Sequence, residues 1–297
     1  MASEPNSAPR SRDASTGGSK VWLITGCSTG IGREIARAAL EAGDRVGVSA
    51  RDPAAVEALV AEAPDRALAV ALDVTRPDQV RAAVAATEAR FGRIDVLVNN
   101  AGYGYVSSVE EGVDADVRRM FDTNFFGAID LIKAVLPGMR AQSSGLIVNM
   151  SSVTGYVARP GNVYYSTSKF ALESLSEGLA EELAPFGIRV SAVAPGVFRT
   201  DWNARSMQES PETIDDYAPT VGERRALLRA GPKGFGGDPR KVGDAVVMLS
   251  RLESPPLRLL LGADAIAAAR GKIDALAETI ERWEAYGVAA GEDDAPK

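Results

Sequence analysis

Tyr165 and Lys169, in Tyr165-Ser166-Thr167-Ser168-Lys169, are four positions apart, a spacing that puts a phenol and an ammonium on one face of a helix. A free phenol titrates near ~10, too high for ready proton exchange at neutral pH, and a fixed cation beside it stabilises the phenolate and lowers that value. The pair therefore offers a general acid and base, although the same spacing also describes an ordinary surface helix pair. Tyr156 and Tyr164 lack this relation to the lysine. The 297 residues contain no histidine and a single cysteine, Cys27. A histidine triad, a histidine base and a histidine-ligated zinc site are thus excluded, and acid-base work falls to Tyr, Lys, Asp, Glu or Cys27.

A second set of residues suits a phosphate ligand. Thr25-Gly26-Cys27-Ser28-Thr29-Gly30-Ile31-Gly32 lies between an apolar run and a segment rich in Ala and Arg. A strand, a glycine turn and a helix N-terminus present unpaired N–H groups and the positive end of a helix dipole, as a pyrophosphate requires. Gly26, Ser28, Thr29, Gly30, Ile31 and Gly32 are the candidate contacts. The spacing differs from the commoner G-x-G-x-x-G and is also compatible with a plain tight turn; its place between strand and helix favours a dinucleotide. The next strand ends Ser49-Ala50-Arg51-Asp52. An acid there would hold the adenosine ribose 2′-OH, whereas Ala50 followed by Arg51 allows a guanidinium fork on a 2′-phosphate, which favours NADP(H) over NAD(H). Asp52 reverses that preference if it points at the ribose; otherwise it is the N-cap of the helix opened by Pro53.

The elements that must position these residues alternate regularly. Short apolar runs at 21–25, 45–49, 67–72, 94–99, 146–150, 188–193 and 257–261 read as seven strands. Most are continuously apolar, as strands are when helices cover both sheet faces. Helical segments fall at 32–41, 53–63, 77–91, 114–139, 163–184, 239–251 and 263–286. This alternation predicts an α/β doubly wound (Rossmann) fold, a mostly parallel seven-stranded sheet in a single domain over 20–290. Residues 1–19, rich in Ser, Pro, Gly and Ala without the apolar core of a signal peptide, read as a disordered leader, and 291–297 as a tail. Between Asp201 and Gly237, which includes Trp202, Met207 and Tyr217, no strand is evident; this segment (201–237) is expected to be a substrate lid, with a surface excursion bearing a short helix or two as the alternative. Ile273, Leu276, Ile280 and Trp283 form an apolar stripe at 3-4-3 spacing, expected to pack on the domain or else on another subunit.

Composition sets the outer limits. A net charge of −7 argues against a nucleic-acid or anionic-membrane surface, and no apolar run reaches the ~18 residues of a membrane span. One cysteine permits no internal disulfide, which fits a cytoplasmic protein.

Ser151-Ser152 ends the fifth strand, thirteen residues before Tyr165, and its conjunction with the glycine turn and the Tyr-Lys pair resembles the compact form of the short-chain dehydrogenase/reductase family. The resemblance is dense from Lys20 to about Pro195 and looser to about Tyr286. It implies hydride transfer between NADP(H) and the carbonyl or secondary alcohol of a small substrate, with no metal. It makes Tyr165 the proton donor in reduction and Ser152 the holder of the substrate oxygen. Lys169 would lower the phenol and bind the nicotinamide ribose, and Asn124, in Asp122-Thr123-Asn124-Phe125-Phe126-Gly127, would hold a water beside Lys169. Read without the resemblance, Ser152 is equally a strand-end cap and Asn124 a backbone partner. Asp73 and Val74 match the adenine contact, Asn100, Ala101 and Gly102 the element after the fourth strand, and Pro195, Gly196, Val197 and Thr200 the loop beneath the nicotinamide. Asp73 can also be a helix N-cap and Asn100 a sheet brace. The resemblance further implies a homodimer or homotetramer through the helices bearing Asn124 and Tyr165. Pocket walls are expected from Tyr103, Tyr105, Val153, Tyr156, Val157, Trp202 and Met207, suggesting a hydrophobic carbonyl compound, and Trp22 and Trp202 are expected near the site as fluorescence reporters. Two rivals remain at this stage: a nucleotide-binding regulator without turnover, and an NAD-dependent epimerase or dehydratase of a nucleotide-linked sugar.

Overall fold

The computed structural model describes residues 18–200, 205–211, 213–231 and 236–291. Trp202, most of the expected leader (1–17), part of the expected lid (201–204, 212 and 232–235) and the tail beyond 291 lie outside the described residues.

Nine strands are present among the described residues: β1 (Val21–Ile24), β2 (Arg45–Ala50), β3 (Ala67–Ala71), β4 (Val96–Asn99), β5 (Gly104–Val106), β6 (Gly145–Met150), β7 (Ile188–Pro195), β8 (Met207–Glu209) and β9 (Arg258–Leu261). Seven of them form one sheet in the order β3-β2-β1-β4-β6-β7-β9, every pairing parallel. The helices are α1 (Gly30–Glu41), α2 (Glu57–Ala61), α3 (Pro77–Phe91), α4 (Asp114–Phe121), α5 (Gly127–Ala141), α6 (Val163–Leu183), α7 (Glu223–Ala230), α8 (Arg240–Arg251) and α9 (Ala263–Ala289).

The continuous apolar strands follow from burial on both faces. In β1, Trp22 and Ile24 join Ile35 and Ala39 of α1 and Val242 and Val246 of α8 on one side of the sheet. Leu23, between them, points to the other side, among Val80 and Val84 of α3 and Leu131 and Val135 of α5. The edge between α1 and β2 is tied by Asp44, whose side chain is 1% exposed and pairs with Arg251 of α8 at 2.5 Å. The same carboxylate accepts from Trp22 Nε1 (2.8 Å) and from the Lys20 backbone N–H (2.9 Å).

Four expectations change. The segment 114–139 is not one regular helix: α4 and α5 are joined by a π turn over Asp122–Phe126, which contains Asn124. The helix expected at 53–63 is a 3-10 turn, Pro53–Val56, followed by the short α2. A strand does occur within 201–237: β8 pairs in parallel with β5 in a separate two-stranded sheet, too short at three residues each to stand out in the apolar pattern. The α9 stripe does not pack on the domain, since Ile273, Leu276, Ile280 and Trp283 are 62%, 54%, 59% and 60% exposed. Among the described residues, the buried positions of α9 are Ala265 and Ala269 in its first turns, and every residue after Ala269 is exposed.

Candidate active site

The chain leaves β1 toward β2 and leaves β4 toward the other half of the sheet, so a crevice opens above their C-terminal ends. Gly26 and Gly30 take the left-handed region at φ 71° and 60°, which side chains disfavour and glycine does not. At Gly32 a Cβ would collide with Asn100 Nδ2 and stand 2.5 Å from the Gly26 carbonyl oxygen. Asn100 is the brace of this turn, donating through Nδ2 to the carbonyls of Thr25 (2.8 Å) and Gly26 (3.2 Å). Thr25 Oγ1 in turn accepts from the N–H groups of Asn100 and Ala101, both at 2.9 Å. No side chain caps the first turn of α1 after Thr29, leaving its N–H donors to a ligand in the cleft that Ser28, Thr29, Gly30 and Ile31 line.

The cleft has a volume of about 710 Å³. One end is walled by Ala50, Arg51, Leu72, Asp73 and Val74. Arg51 is exposed there, while Asp52 is the N-cap of the following turn, accepting from the Ala54 N–H at 3.0 Å. Asp73 holds a local turn, accepting from Thr75 N–H (3.0 Å) and Thr75 Oγ1 (2.7 Å); the N-cap of α3 is Arg76, not Asp73.

At the centre, α6 places Tyr165 (9% exposed) and Lys169 (5% exposed) on the cleft wall with Ser151 and Ser152 from the end of β6. Gly155 lets the turn Val153–Gly155 lie against α6, where a Cβ would stand 2.6 Å from Ser151 Oγ. That packing brings Ser152 to the phenol, and the two side chains hydrogen-bond. Ser152 Oγ also accepts from the Thr154 N–H at 3.2 Å, so its capping and site roles coexist. Lys169 Nζ donates to the Met150 carbonyl at 2.8 Å and lies 5.7 Å from the centre of the Tyr165 ring. The expected lowering of the phenol is not what this arrangement produces. Burial pushes Tyr165 up to about 12, with the Ser152 hydrogen bond opposing, and pulls Lys169 down to about 8, with Glu173 opposing. Desolvation outweighs pairing because both groups are buried and the ammonium is aimed at a carbonyl. The other two tyrosines are engaged elsewhere: Tyr156 OH donates to Glu173 Oε2 and Tyr164 OH to the Val109 carbonyl.

Asn124 does not line the cleft. From the π turn it grips both backbone groups of Tyr103, Oδ1 accepting from N–H (3.0 Å) and Nδ2 donating to C=O (2.9 Å), and it donates to Ser168 Oγ at 3.1 Å. It thereby fixes Gly102 and Tyr103 against α6. Pro195, Gly196, Val197 and Thr200 line the far side, Thr200 facing Gly30. This loop depends on a residue that sequence reading missed: Asp264, in the first turn of α9, accepts from Val197 N–H at 2.8 Å, and a Cβ on Gly196 would collide with its carboxylate. An acid in the first turn of a helix is the only signal the sequence holds for it.

The remaining wall comes from Tyr103 and Val153, as expected, and from Arg205, Ser206, Gln208, Arg224, Leu227 and Leu228. Tyr105 is instead core, its OH accepting from Val113 N–H, and Tyr156, Val157 and Met207 stand back from the lining. Trp22 is fully buried on Asp44 and does not face the cleft. α7 is pinned by a buried ion pair, Arg225 with Glu111 at 2.9 Å, side chains 6% and 2% exposed, and Arg225 also donates to Ser210 Oγ.

These residues fit a nicotinamide dinucleotide. The glycine cradle leaves room that a Cβ would fill, the α1 donors suit a pyrophosphate, and a buried ammonium lies beside a phenol and a serine. Comparison with known proteins agrees. A family described as short chain dehydrogenase matches residues 20–211. Oxidoreductase BOA17 of Botryotinia fuckeliana is 39% identical over 272 residues, covering 91% of this chain and 99% of that protein. A short-chain dehydrogenase from Streptomyces avermitilis superposes with a TM-score of 0.86 at 43% identity, covering 92% of this chain and 98% of that one. A metagenomic short-chain oxidoreductase solved in complex with NADP superposes at 0.65 with 29% identity, covering 82% and 96%.

Proposed function

The chain belongs to the short-chain dehydrogenase family and is an NAD(P)-dependent oxidoreductase, and from that premise we propose that it moves a hydride between NADP(H) and the carbonyl or secondary alcohol carbon of a small substrate, with Tyr165 as general acid and base. The observation that carries this reading is the Tyr165–Ser152 hydrogen bond, with Lys169 buried one helical turn on, in the same cleft as the glycine turn.

Asp73 and Val74 would hold the adenine, Arg51 the 2′-phosphate, the turn from Gly26 to Gly32 the pyrophosphate, and Lys169 the nicotinamide ribose. Asn100, Ala101 and Gly102 shape the floor, and Pro195, Gly196, Val197 and Thr200 the carboxamide side. Arg51 supports NADP(H) because it stands open on the cleft while Asp52, the residue that would favour NAD(H), is committed to its cap. When bound, the nicotinamide supplies the hydride in reduction and takes it in oxidation. In reduction Tyr165 gives its proton to the substrate oxygen while Ser152 hydrogen-bonds the charge developing there. Lys169, protonated, stabilises the phenolate left behind; in oxidation the phenolate takes the alcohol proton. Asn124 acts through Tyr103 and Ser168 as a positioning residue.

Tyr103, Val153, Leu227 and Leu228 favour a substrate with an apolar body. The described parts of the expected lid, 205–211 and 213–231, would cover the substrate, since Arg205, Gln208 and Arg224 line the cleft. We place the protein in the cytoplasm as a homodimer or homotetramer. The π turn that contains Asn124 and the helix that carries Tyr165 expose Phe126 and Phe170, which are 52% and 40% accessible and available to a second subunit.

Calorimetric titration with NADPH and NADH tests the cofactor. Wild type should bind NADPH tighter, and Arg51→Ala should lose about tenfold or more of that advantage, the worth of one charge-assisted contact. Equal or tighter NADH binding would overturn the NADP(H) assignment. In a carbonyl screen with the preferred cofactor, Tyr165→Phe should lose about 10²–10⁴-fold in kcat.

A further inference from the structure

The substrate end of the cleft carries more positive charge than an apolar carbonyl compound requires. Arg224 is half-buried in α7 and lines the cleft, yet among the described residues it has neither a carboxylate partner nor a hydrogen bond, and its Nε is fully buried without an acceptor. Its neighbour Arg225 also has a buried Nε without an acceptor, but its guanidinium is ion-paired with Glu111 and donates to Ser210 Oγ, so its charge, unlike that of Arg224, is neutralised. That buried pair holds α7 in place and so fixes where Arg224 emerges. The Arg224 stem rests on the backbone of Gly161, where a Cβ would stand 3.2 Å from its Cγ. Gly161 lies four residues before Tyr165, in the turn that precedes the start of α6. Arg205, exposed on the same wall, and Arg159, whose charge bears on Arg224, add to the field and have no ion pair among the described residues. A partly buried guanidinium left without a counter-charge is costly, and in a chain of net charge −7 such a cluster is a local reversal of sign.

We propose that Arg224 is the anion-binding residue of the substrate cleft, and that the substrate is a carbonyl compound or alcohol bearing a carboxylate. Tyr103, Val153, Leu227 and Leu228 enclose the apolar part while the carboxylate forks onto the guanidinium. The inference rests on the reading above only for the identity of the reacting group.

Binding of simple amphiphiles tests it without turnover. Octanoate and octan-1-ol, of equal chain length, are titrated by calorimetry into the full chain saturated with its nicotinamide cofactor. Wild type should bind octanoate about tenfold or more tighter than octanol, the effect of one hydrogen bond to a charged group. Arg224→Gln should abolish that preference through the octanoate arm alone, and Arg224→Lys, which keeps the charge but not the fork, should retain part of it. Octanoate no tighter than octanol in wild type, or octanoate affinity unchanged in Arg224→Gln, would overturn the proposal. Failure of the hydride-transfer reading would show separately, in the carbonyl screen against Tyr165→Phe.

Discussion

Tyr165 and Lys169 are displaced by burial in opposite directions, the phenol up to about 12 and the ammonium down to about 8. At neutral pH the phenol is therefore protonated and ready to donate, and the lysine still carries the charge that the resulting phenolate needs. Above about 8 the lysine loses its proton first, and the phenolate loses its counter-charge. The kcat/KM for reduction should accordingly be level to about pH 8 and fall beyond it. Glu173, one turn further along α6, holds the Lys169 value up, so Glu173→Gln should move the break to lower pH. A break that stays in place in Glu173→Gln, or survives in Lys169→Met, would assign it to another group.

Among the elements, the π turn of Asp122–Phe126 and the helix α9 bear most on the site. An extra residue in the helical ladder turns Asn124 inward onto Tyr103 and Ser168, a position that a regular helix of the same sequence would not give it. The two ends of α9 do different work: Asp264 holds the loop at Gly196 and Val197, while everything after Ala269 is exposed. Truncation after Gly271 should leave the melting temperature nearly unchanged, whereas Asp264→Ala, with an intact helix, should weaken cofactor binding measured by titration. A large drop in melting temperature on truncation would mean that the distal helix is covered after all.

For the molecule as a whole, the parallel sheet brings residues distant in sequence to one crevice, and its stability rests on a few buried polar ties besides the two apolar layers. Asp44 connects the start of β1, the turn before β2 and the end of α8 in one carboxylate. Removing one partner of such a pair leaves an uncompensated charge, and Asp44→Ala should cost about 3 kcal/mol. At this chain length that is a fall of roughly 6–12 °C in melting temperature by differential scanning calorimetry. A shift within experimental error would show that water replaces the carboxylate at no cost. Among the described residues no helix is long and apolar enough to cross a membrane.

The strand runs, the glycine turn, the Tyr165–Lys169 spacing and the serines before it were legible because each is local: a period, a turn or an offset of a few residues fixes its geometry. Order and spacing of these motifs were enough to indicate the family and the doubly wound sheet. Arg224, Asp264 and the Arg225–Glu111 pair were not legible, since each acquires its role from a partner far along the chain, Glu111 lying 114 residues from Arg225 and Asp264 lying 67 residues from Val197. The direction in which Tyr165 and Lys169 shift was equally a tertiary matter. Spacing put the two groups on one face, but how much water each loses depends on what packs over them, and only the folded chain decides that.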